Sequence, residues 1–161
     1  MDNDSTKFSQ RLIKGKVAEM VFEQMLRDTG GFTILAFGYE NIIPELAHCQ
    51  HDLRAEETIE VIRRAPDFAV INNKNHEVHL IEVKYMKNIT REKVFQAAKK
   101  MFESWKPSYL FVATPLGFYY GKVINIVADE GNIAPLRPSQ ISESLQKKYL
   151  DILNKFIRAD V

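Results

Sequence analysis

Three charged residues occupy positions at which the surrounding sequence predicts buried strands. Asp67 precedes the apolar run Phe68 to Ile71, and Glu82 and Lys84 lie in and directly after the run Val78 to Val83. Burying a carboxylate or an ammonium group is costly unless the group is paired or bound to a metal. Two carboxylates beside a lysine at a strand end are typical of a site for a hard divalent cation such as Mg²⁺, which takes oxygen ligands from carboxylates, water and phosphate.

The elements that must position these side chains form a predicted antiparallel β-hairpin. The two runs are rich in β-branched residues, and the polar segment Asn72 to His76 between them is typical of a turn. Side chains alternate along a strand, so Glu82 and Lys84 share one face. Two registers place Asp67 on that face, one opposite Glu82 and one opposite Lys84, with a loop of about four to six residues. The sequence leaves the choice between these registers open.

The motif Pro66-Asp67, a gap, then Glu82-Val83-Lys84 resembles the signature of the PD-(D/E)XK nuclease superfamily, which includes restriction endonucleases, Holliday-junction resolvases and repair nucleases. The resemblance implies that Asp67 and Glu82 bind Mg²⁺, which Mn²⁺ can replace, with the backbone carbonyl of Val83 as a third ligand. It also implies that Lys84 positions the attacking water or stabilises charge that develops on the phosphate.

The fold that the resemblance implies is an αβββαβ restriction-endonuclease-like core in the α/β class, with a mixed sheet flanked by helices. The resemblance runs from Lys14 to Pro115, and the remaining sequence adds a C-terminal strand and helix. The implied reaction is hydrolysis of phosphodiester bonds. DNA is the favoured substrate because most of the superfamily cuts DNA, RNA is the alternative, and endonuclease action is favoured over exonuclease action.

Two other interpretations remain open. One is a catalytically silent nucleic-acid-binding or assembly subunit on the same fold, which the intact Asp67, Glu82 and Lys84 argue against. The other is a generic α/β scaffold in which these residues form a surface ion pair at a strand end.

The first predicted helix, Lys7 to Asp28, supplies a further candidate carboxylate. Glu19 interrupts an apolar row on this helix, and many families of the superfamily place a metal-site glutamate there. The alternative for Glu19 is an ordinary salt bridge at the edge of the core, and Glu23, one turn later, is the weaker candidate. The main apolar stripe of the helix comprises Ile13, Val17, Met20, Val21 and Met25.

The other elements are predicted from hydrophobic periodicity and from capping residues. They are strands at Phe32 to Gly38, Tyr109 to Thr114 and Phe118 to Val127, helices at Arg91 to Trp105 and Ser139 to Ile157, and a turn at 129–132. The first helix is expected to be capped near Ser5 or Thr6 and to end at Gly30-Gly31. Residues 39–65 carry the weakest pattern, in which Leu53 to Arg64 favours a helix over a strand.

Composition predicts a single domain over residues 1–161. Apolar residues make up 45% and charged residues 27%, as is ordinary for a globular protein. The single cysteine, Cys49, excludes an internal disulfide and suits a reducing compartment. Because the chain also has no long apolar run and no signal-peptide pattern, we expect a cytoplasmic protein without a membrane partner. His48, Cys49 and His51 lack the further ligand that a structural zinc site needs, and we interpret them as loop residues.

The distribution of charge is more informative than the net charge of +1. Seven basic residues and two acidic residues lie between Lys84 and Lys106, and a second basic cluster lies between Lys7 and Lys16. Such asymmetry suits a face that contacts phosphate, although a solvated helix face gives the same pattern. The candidate nucleic-acid-binding residues are Lys14, Lys16, Lys87, Arg91, Gln96, Lys99 and Lys100. A homodimer is a further expectation, since nucleases of this size often dimerise.

Overall fold

The computed structural model of the protein describes residues 2–38 and 56–158, with five strands and five helices in these ranges. In chain order they are α1 (Asp2–Thr29), β1 (Phe32–Ala36), α2 (Glu56–Arg63), β2 (Phe68–Asn72), β3 (Val78–Tyr85), α3 (Arg91–Ser104), β4 (Ser108–Thr114), β5 (Gly117–Lys122), α4 (Val123–Ala128) and α5 (Glu143–Arg158). The weakly patterned residues 39–55, with His48, Cys49 and His51, lie outside the described residues.

The strands form one mixed sheet in the order β1-β2-β3-β4-β5. Neighbouring strands are antiparallel except β3 and β4, which are parallel and are connected through α3. Parallel strands need such a crossover, whereas the antiparallel pairs β2–β3 and β4–β5 are joined by short connections. The structure therefore confirms the α/β class, the mixed sheet flanked by helices and the added C-terminal strand and helical segment.

Each face of the sheet is covered by a pair of helices. On one face, α1 and α5 pack on alternate strand residues such as Val83 and Phe111. On the other face, α3 and α4 pack on the intervening residues Leu110 and Val112. Burial of each such side chain contributes about 1.5–3 kcal/mol, so the two apolar layers hold the sheet firmly between the helices.

The predicted hairpin is confirmed as β2 and β3. The Asn72 side chain caps the turn by accepting hydrogen bonds from the backbone amides of Lys74 and Asn75. His76 adopts a positive φ of 61°, which closes the polar loop. Phe68 pairs with Ile81, and this register, continued by one residue, sets Asp67 opposite Glu82. Of the two registers that the sequence allowed, the structure has the first.

Helix α1 is longer than predicted, because it begins at Asp2 and continues through the expected caps at Ser5 and Thr6. It ends at Thr29 as expected, before Gly30 and Gly31, whose φ angles of 76° and 77° suit glycine alone. The predicted apolar stripe is partly wrong. Val21 and Met25 are buried with Ala18, Phe22 and Leu26, whereas Ile13 and Met20 are exposed.

Strand β1 ends two residues before the predicted boundary at Gly38. The amides of Phe37 and Gly38 both donate to the backbone carbonyl of Asp67, at 2.9 and 3.2 Å, instead of continuing the ladder. The end of β1 thereby fixes the backbone of Asp67.

Two predictions for the C-terminal third are wrong in their boundaries. The predicted strand Phe118 to Val127 ends at Lys122, because Val123 and Ile126 are buried at helical spacing in α4. The helix predicted from Ser139 begins at Glu143. Before it, a turn is closed by the Ile141 amide, which donates to the Arg137 carbonyl.

Helices α2 and α3 meet at the single tryptophan of the chain. Helix α3 matches its prediction to within one residue, and its N-cap is Thr90, whose side chain accepts from the Lys93 amide. Within the described residues, α2 confirms the prediction of a helix rather than a strand for the segment Leu53 to Arg64. The Trp105 indole donates to the Val61 carbonyl of α2 at 2.8 Å and meets Phe37 edge-on at 5.5 Å. This contact holds α2 against the C-terminal end of α3.

Candidate active site

The β2–β3 hairpin positions the carboxylate of Asp67. Pro66 and Ala65 are buried just before it, and the register places Asp67 beside Glu82 on the adjoining strand. The Val83 amide donates to Asp67 Oδ2 at 2.8 Å. Its orientation is therefore fixed by a backbone hydrogen bond from β3 and by the backbone contacts at the end of β1.

Glu82 and Lys84 project from the face of β3 that α3 covers. In the parallel pairing with β4, Glu82 lies beside Leu110 and Lys84 beside Val112, both of which belong to the α3 side of the core. Glu82 is buried and Lys84 is partly exposed. Lys84 Nζ lies 2.6 Å from Glu82 Oε1, so the ammonium group neutralises the buried carboxylate.

The close packing at this site shifts the pKa values of Asp67 and Lys84. Burial, followed by the charge of Glu82, raises the pKa of Asp67 to about 7. Burial acts to lower the pKa of Lys84, but the charge and hydrogen bond of Glu82, with smaller contributions from Asp67 and Glu19, outweigh it and raise that pKa. Near neutral pH, Asp67 is therefore poised between two charge states beside a fully charged lysine.

A cleft of about 1120 Å³ opens around these three residues. Its floor includes Asp67, Glu82 and Lys84, α1 supplies Lys16, Glu19, Met20 and Glu23, and α3 supplies Lys93, Gln96, Ala97, Lys100 and Met101. Because α1 and α3 pack on opposite faces of the sheet, they form two separate walls. A carboxylate with a strongly perturbed pKa, as Asp67 has, in a large cleft is a common property of functional sites.

Both candidate helix glutamates reach the cleft. Glu19 forms an ion pair with Lys16 at 3.3 Å, and Glu23 forms one with Arg27 at 2.7 Å. Glu19 is the more closely coupled to the floor, since its charge acts on Lys84 while that of Lys16 acts on Asp67. The salt bridge expected under the alternative interpretation of Glu19 is present, and it lies at the cleft wall.

The predicted nucleic-acid-binding residues divide into two groups. Lys16, Gln96 and Lys100 line the cleft, whereas the side chains that lie outside its lining are Lys14, Lys87, Arg91 and Lys99. The division follows the helical period, because residues three, four or seven apart share a face, and Lys93, Gln96 and Lys100 have this spacing. Lys93 was missed by the sequence reasoning, although the same spacing could have found it.

Helix α2 and the residue that follows it contribute two further cations that the sequence reasoning missed. Arg63 and Arg64 line the cleft just before the Pro66-Asp67 motif. Arg63 is paired with Glu60 at 2.8 Å, and Arg64 reaches Glu103 of α3 at 3.3 Å. Their closeness to the motif was a signal in the sequence, but their direction depends on how α2 is held by Trp105.

The donor set suits a divalent cation at the cleft floor. Asp67 and Glu82 offer carboxylate oxygens side by side, and the pKa of Asp67 is raised first by burial and then by the charge of Glu82. In the described ranges, no three His, Cys, Asp or Glu side chains are grouped closely enough to hold a metal. Glu19 lies in the lining of the same cleft as these two carboxylates.

Comparison with models of known protein families finds no match, and comparison with curated proteins finds none either. Among the helices that the structure describes, none has the length and apolar character required to cross a membrane.

Proposed function

We propose that this protein is a metal-dependent nuclease that hydrolyses phosphodiester bonds in DNA. The observation that carries the proposal is the juxtaposition of Asp67 and Glu82 at the floor of a large cleft, with Lys84 2.6 Å from Glu82. Cations on three sides of that floor, Lys16, Arg64 and Lys100 among them, suit a polyanionic substrate.

The resemblance of the motif to the PD-(D/E)XK superfamily supports the same proposal. The described residues have the order of elements that the resemblance implies, which is α1, β1, β2, β3, α3 and β4. Helix α2 is an addition between β1 and β2. We propose that this order represents the restriction-endonuclease-like core. The motif residues lie at the end of the hairpin, facing the cleft.

In the proposed mechanism, Asp67 and Glu82 hold the cation, the Val83 carbonyl is a further candidate ligand, and Glu19 completes or orients the site. A bound Mg²⁺, or Mn²⁺ in its place, supplies polarisation of the scissile phosphate and a lowered pKa for a coordinated water. The Val83 amide keeps Asp67 turned toward the cleft. Lys84 exchanges its contact with Glu82 for one with a phosphate oxygen or the attacking water, where it stabilises the charge that develops.

The alternative is a catalytically silent subunit that binds nucleic acid on the same fold. It shares the basic cleft walls, so binding alone does not distinguish the two functions. The floor residues do distinguish them, because a silent subunit has no requirement for a buried Asp67 beside a second carboxylate, an arrangement that raises the pKa of Asp67.

A cleavage assay tests the proposal. We expect the protein to cut single-stranded, duplex or branched DNA with Mg²⁺ or Mn²⁺, and to be inactive with Ca²⁺ or chelator. Glu82→Ala removes the activity. Glu77→Ala is the matched control, since Glu77 lies on the same hairpin but outside the lining of the cleft. Binding of DNA without cleavage under every metal condition would instead support the silent subunit. The same assay with RNA, and light scattering for the proposed homodimer, test the remaining expectations.

A further inference from the structure

Helix α1 exposes four apolar side chains to solvent, three of them in its first half. Phe8 is 69% exposed, Leu12 57%, Ile13 49% and Met20 65%. We call these four residues the apolar strip. From Asp4 to Ile13, every side chain except Gln10 is exposed, and the buried part of the helix begins near Ala18. An exposed apolar surface of this kind on a helix indicates a contact with another molecule.

The apolar strip is continuous with the cleft wall. Met20 itself lines the cleft beside Lys16 and Glu19. Ile13 lies two helical turns before Met20, Leu12 one turn before Lys16, and Phe8 one turn before Leu12. The strip therefore extends the wall of the cleft along α1, away from the floor that carries Asp67 and Glu82.

The charge on this half of α1 identifies the class of partner. Residues 4–16 contain four basic residues and one acid, Asp4. Lys7, Arg11 and Lys14 are spaced four and three residues apart, so they form one row along the helix. That row leads to the buried Ala18, and it therefore lies on a different side of the helix from the apolar strip. A helix with apolar groups on one side and cations on another suits nucleic acid, whose bases are apolar and whose backbone is anionic.

We infer that the apolar strip contacts unpaired bases of the DNA strand that enters the cleft, so that the favoured substrate contains single-stranded DNA beside the scissile bond. The inference rests on the proposed nuclease function and narrows its substrate. Bases in an intact duplex are stacked inside the helix, whereas unpaired bases offer their faces to Phe, Leu, Ile or Met side chains. The basic row of Lys7, Arg11 and Lys14 contacts the phosphates of the other strand at a fork.

Binding measured by fluorescence anisotropy in EDTA tests the inference without requiring cleavage. The probes are labelled single-stranded, fully duplex and forked DNA of matched sequence. The test variant combines Phe8→Ala, Leu12→Ala and Ile13→Ala, since alanine preserves the helix. The matched control is Leu116→Ala, which removes an apolar side chain that is 92% exposed in the β4–β5 turn and lies outside the cleft lining. Circular dichroism checks that both variants keep their helices.

We expect the wild type to prefer forked and single-stranded DNA over duplex. The triple variant should bind the fork about tenfold more weakly, as expected for the loss of a stacked base, and should bind the duplex unchanged. Leu116→Ala should behave like the wild type. Equal affinity of the wild type for all three probes, or a triple variant that keeps the fork preference, overturns the inference.

Two further readouts separate this inference from its rivals. If a second copy of the chain covers the apolar strip, light scattering will show that the wild type is a dimer and that the triple variant is a monomer. In that case the triple variant will also keep its preference for forked DNA, and this result overturns the inference. Cleavage with Mg²⁺ is measured separately. A wild type that cuts DNA but shows no dependence on the strip refutes only the inference. A wild type that binds forks through the strip but never cuts refutes only the nuclease.

Discussion

Asp67→Asn keeps the shape of the side chain and removes one of the two carboxylates at the cleft floor. The pKa of Asp67 is about 7 in the folded protein and 3.8 without the fold. The folded chain therefore binds this proton more tightly than the unfolded chain does. It follows that the metal-free wild type loses stability as the pH rises from about 4 to about 7, and that the loss is complete above this range.

The size of the effect follows from the same two values. Since each pKa unit corresponds to about 1.36 kcal/mol, the charged Asp67 destabilises the metal-free fold by at most about 4 kcal/mol above neutral pH. Solvent that enters the cleft offsets part of the burial and screens part of the repulsion from Glu82, so the measured value should lie below that limit. For a domain of this size, 1 kcal/mol corresponds to roughly 2–4 °C in Tm. We expect metal-free Asp67→Asn to melt several degrees above the wild type at a pH of about 8, and the difference to vanish near pH 4.

Thermal melts across this pH range, with chelator and with saturating Mn²⁺, measure both halves of the prediction. A cation that binds only the folded state stabilises it by mass action, by about 2.7 kcal/mol at one hundred times the Kd. The wild type should gain this increment, and Asp67→Asn should gain much less. Glu77→Gln, which removes a carboxylate outside the cleft lining, should follow the wild type. A wild type without a Mn²⁺-dependent shift, or an equal shift in Asp67→Asn, would show that these carboxylates are not the metal site.

Three further predictions follow from the geometry. Lys84→Ala should abolish cleavage but leave Mn²⁺ binding by calorimetry within a few-fold of the wild type, and near-normal turnover would end the proposed role of Lys84. Lys100→Glu should weaken DNA binding and reduce the slope of its salt dependence by about one. Lys99→Glu, which lies outside the cleft lining, should change neither the affinity nor the slope. Identical slopes in both variants would mean that the cleft wall does not contact phosphate. Gly131→Ala should lower the free energy of unfolding, measured in urea, by at least about 2 kcal/mol, because φ is 91° and the new Cβ would overlap the Arg91 carbonyl oxygen. An unchanged urea midpoint would show that the turn accepts a side chain at this position.

The hairpin that carries the floor of the site was predictable because its signals are local. Two β-branched runs, a polar turn and strict alternation restricted the position of Asp67 to two registers. The choice between them depended on the turn, where the Asn72 side chain and the positive φ of His76 fix the loop. Alternation alone could not supply that choice.

The walls of the cleft were less predictable because they depend on how distant segments pack. The apolar period of α1 predicts a helix with a stripe that includes Ile13 and Met20. Both residues are exposed, because the buried part of the helix begins near Ala18 and because Met20 lies on the side that lines the cleft. Similarly, Val123 to Val127 has the β-branched composition of a strand. Burial of Val123 and Ile126 within the α3 side of the core overrides that propensity and makes a helix.

The position of Trp105 gives the protein an intrinsic optical probe. It is the only tryptophan in the chain, and its indole is hydrogen bonded to Val61 of α2, the helix whose last turn and following residue bring Arg63 and Arg64 to the cleft. Tryptophan emission depends on the polarity around the indole and on its hydrogen bond. A ligand that shifts α2 as it draws the two arginines inward changes this contact, so such a shift can be followed in unlabelled protein by the emission wavelength of Trp105.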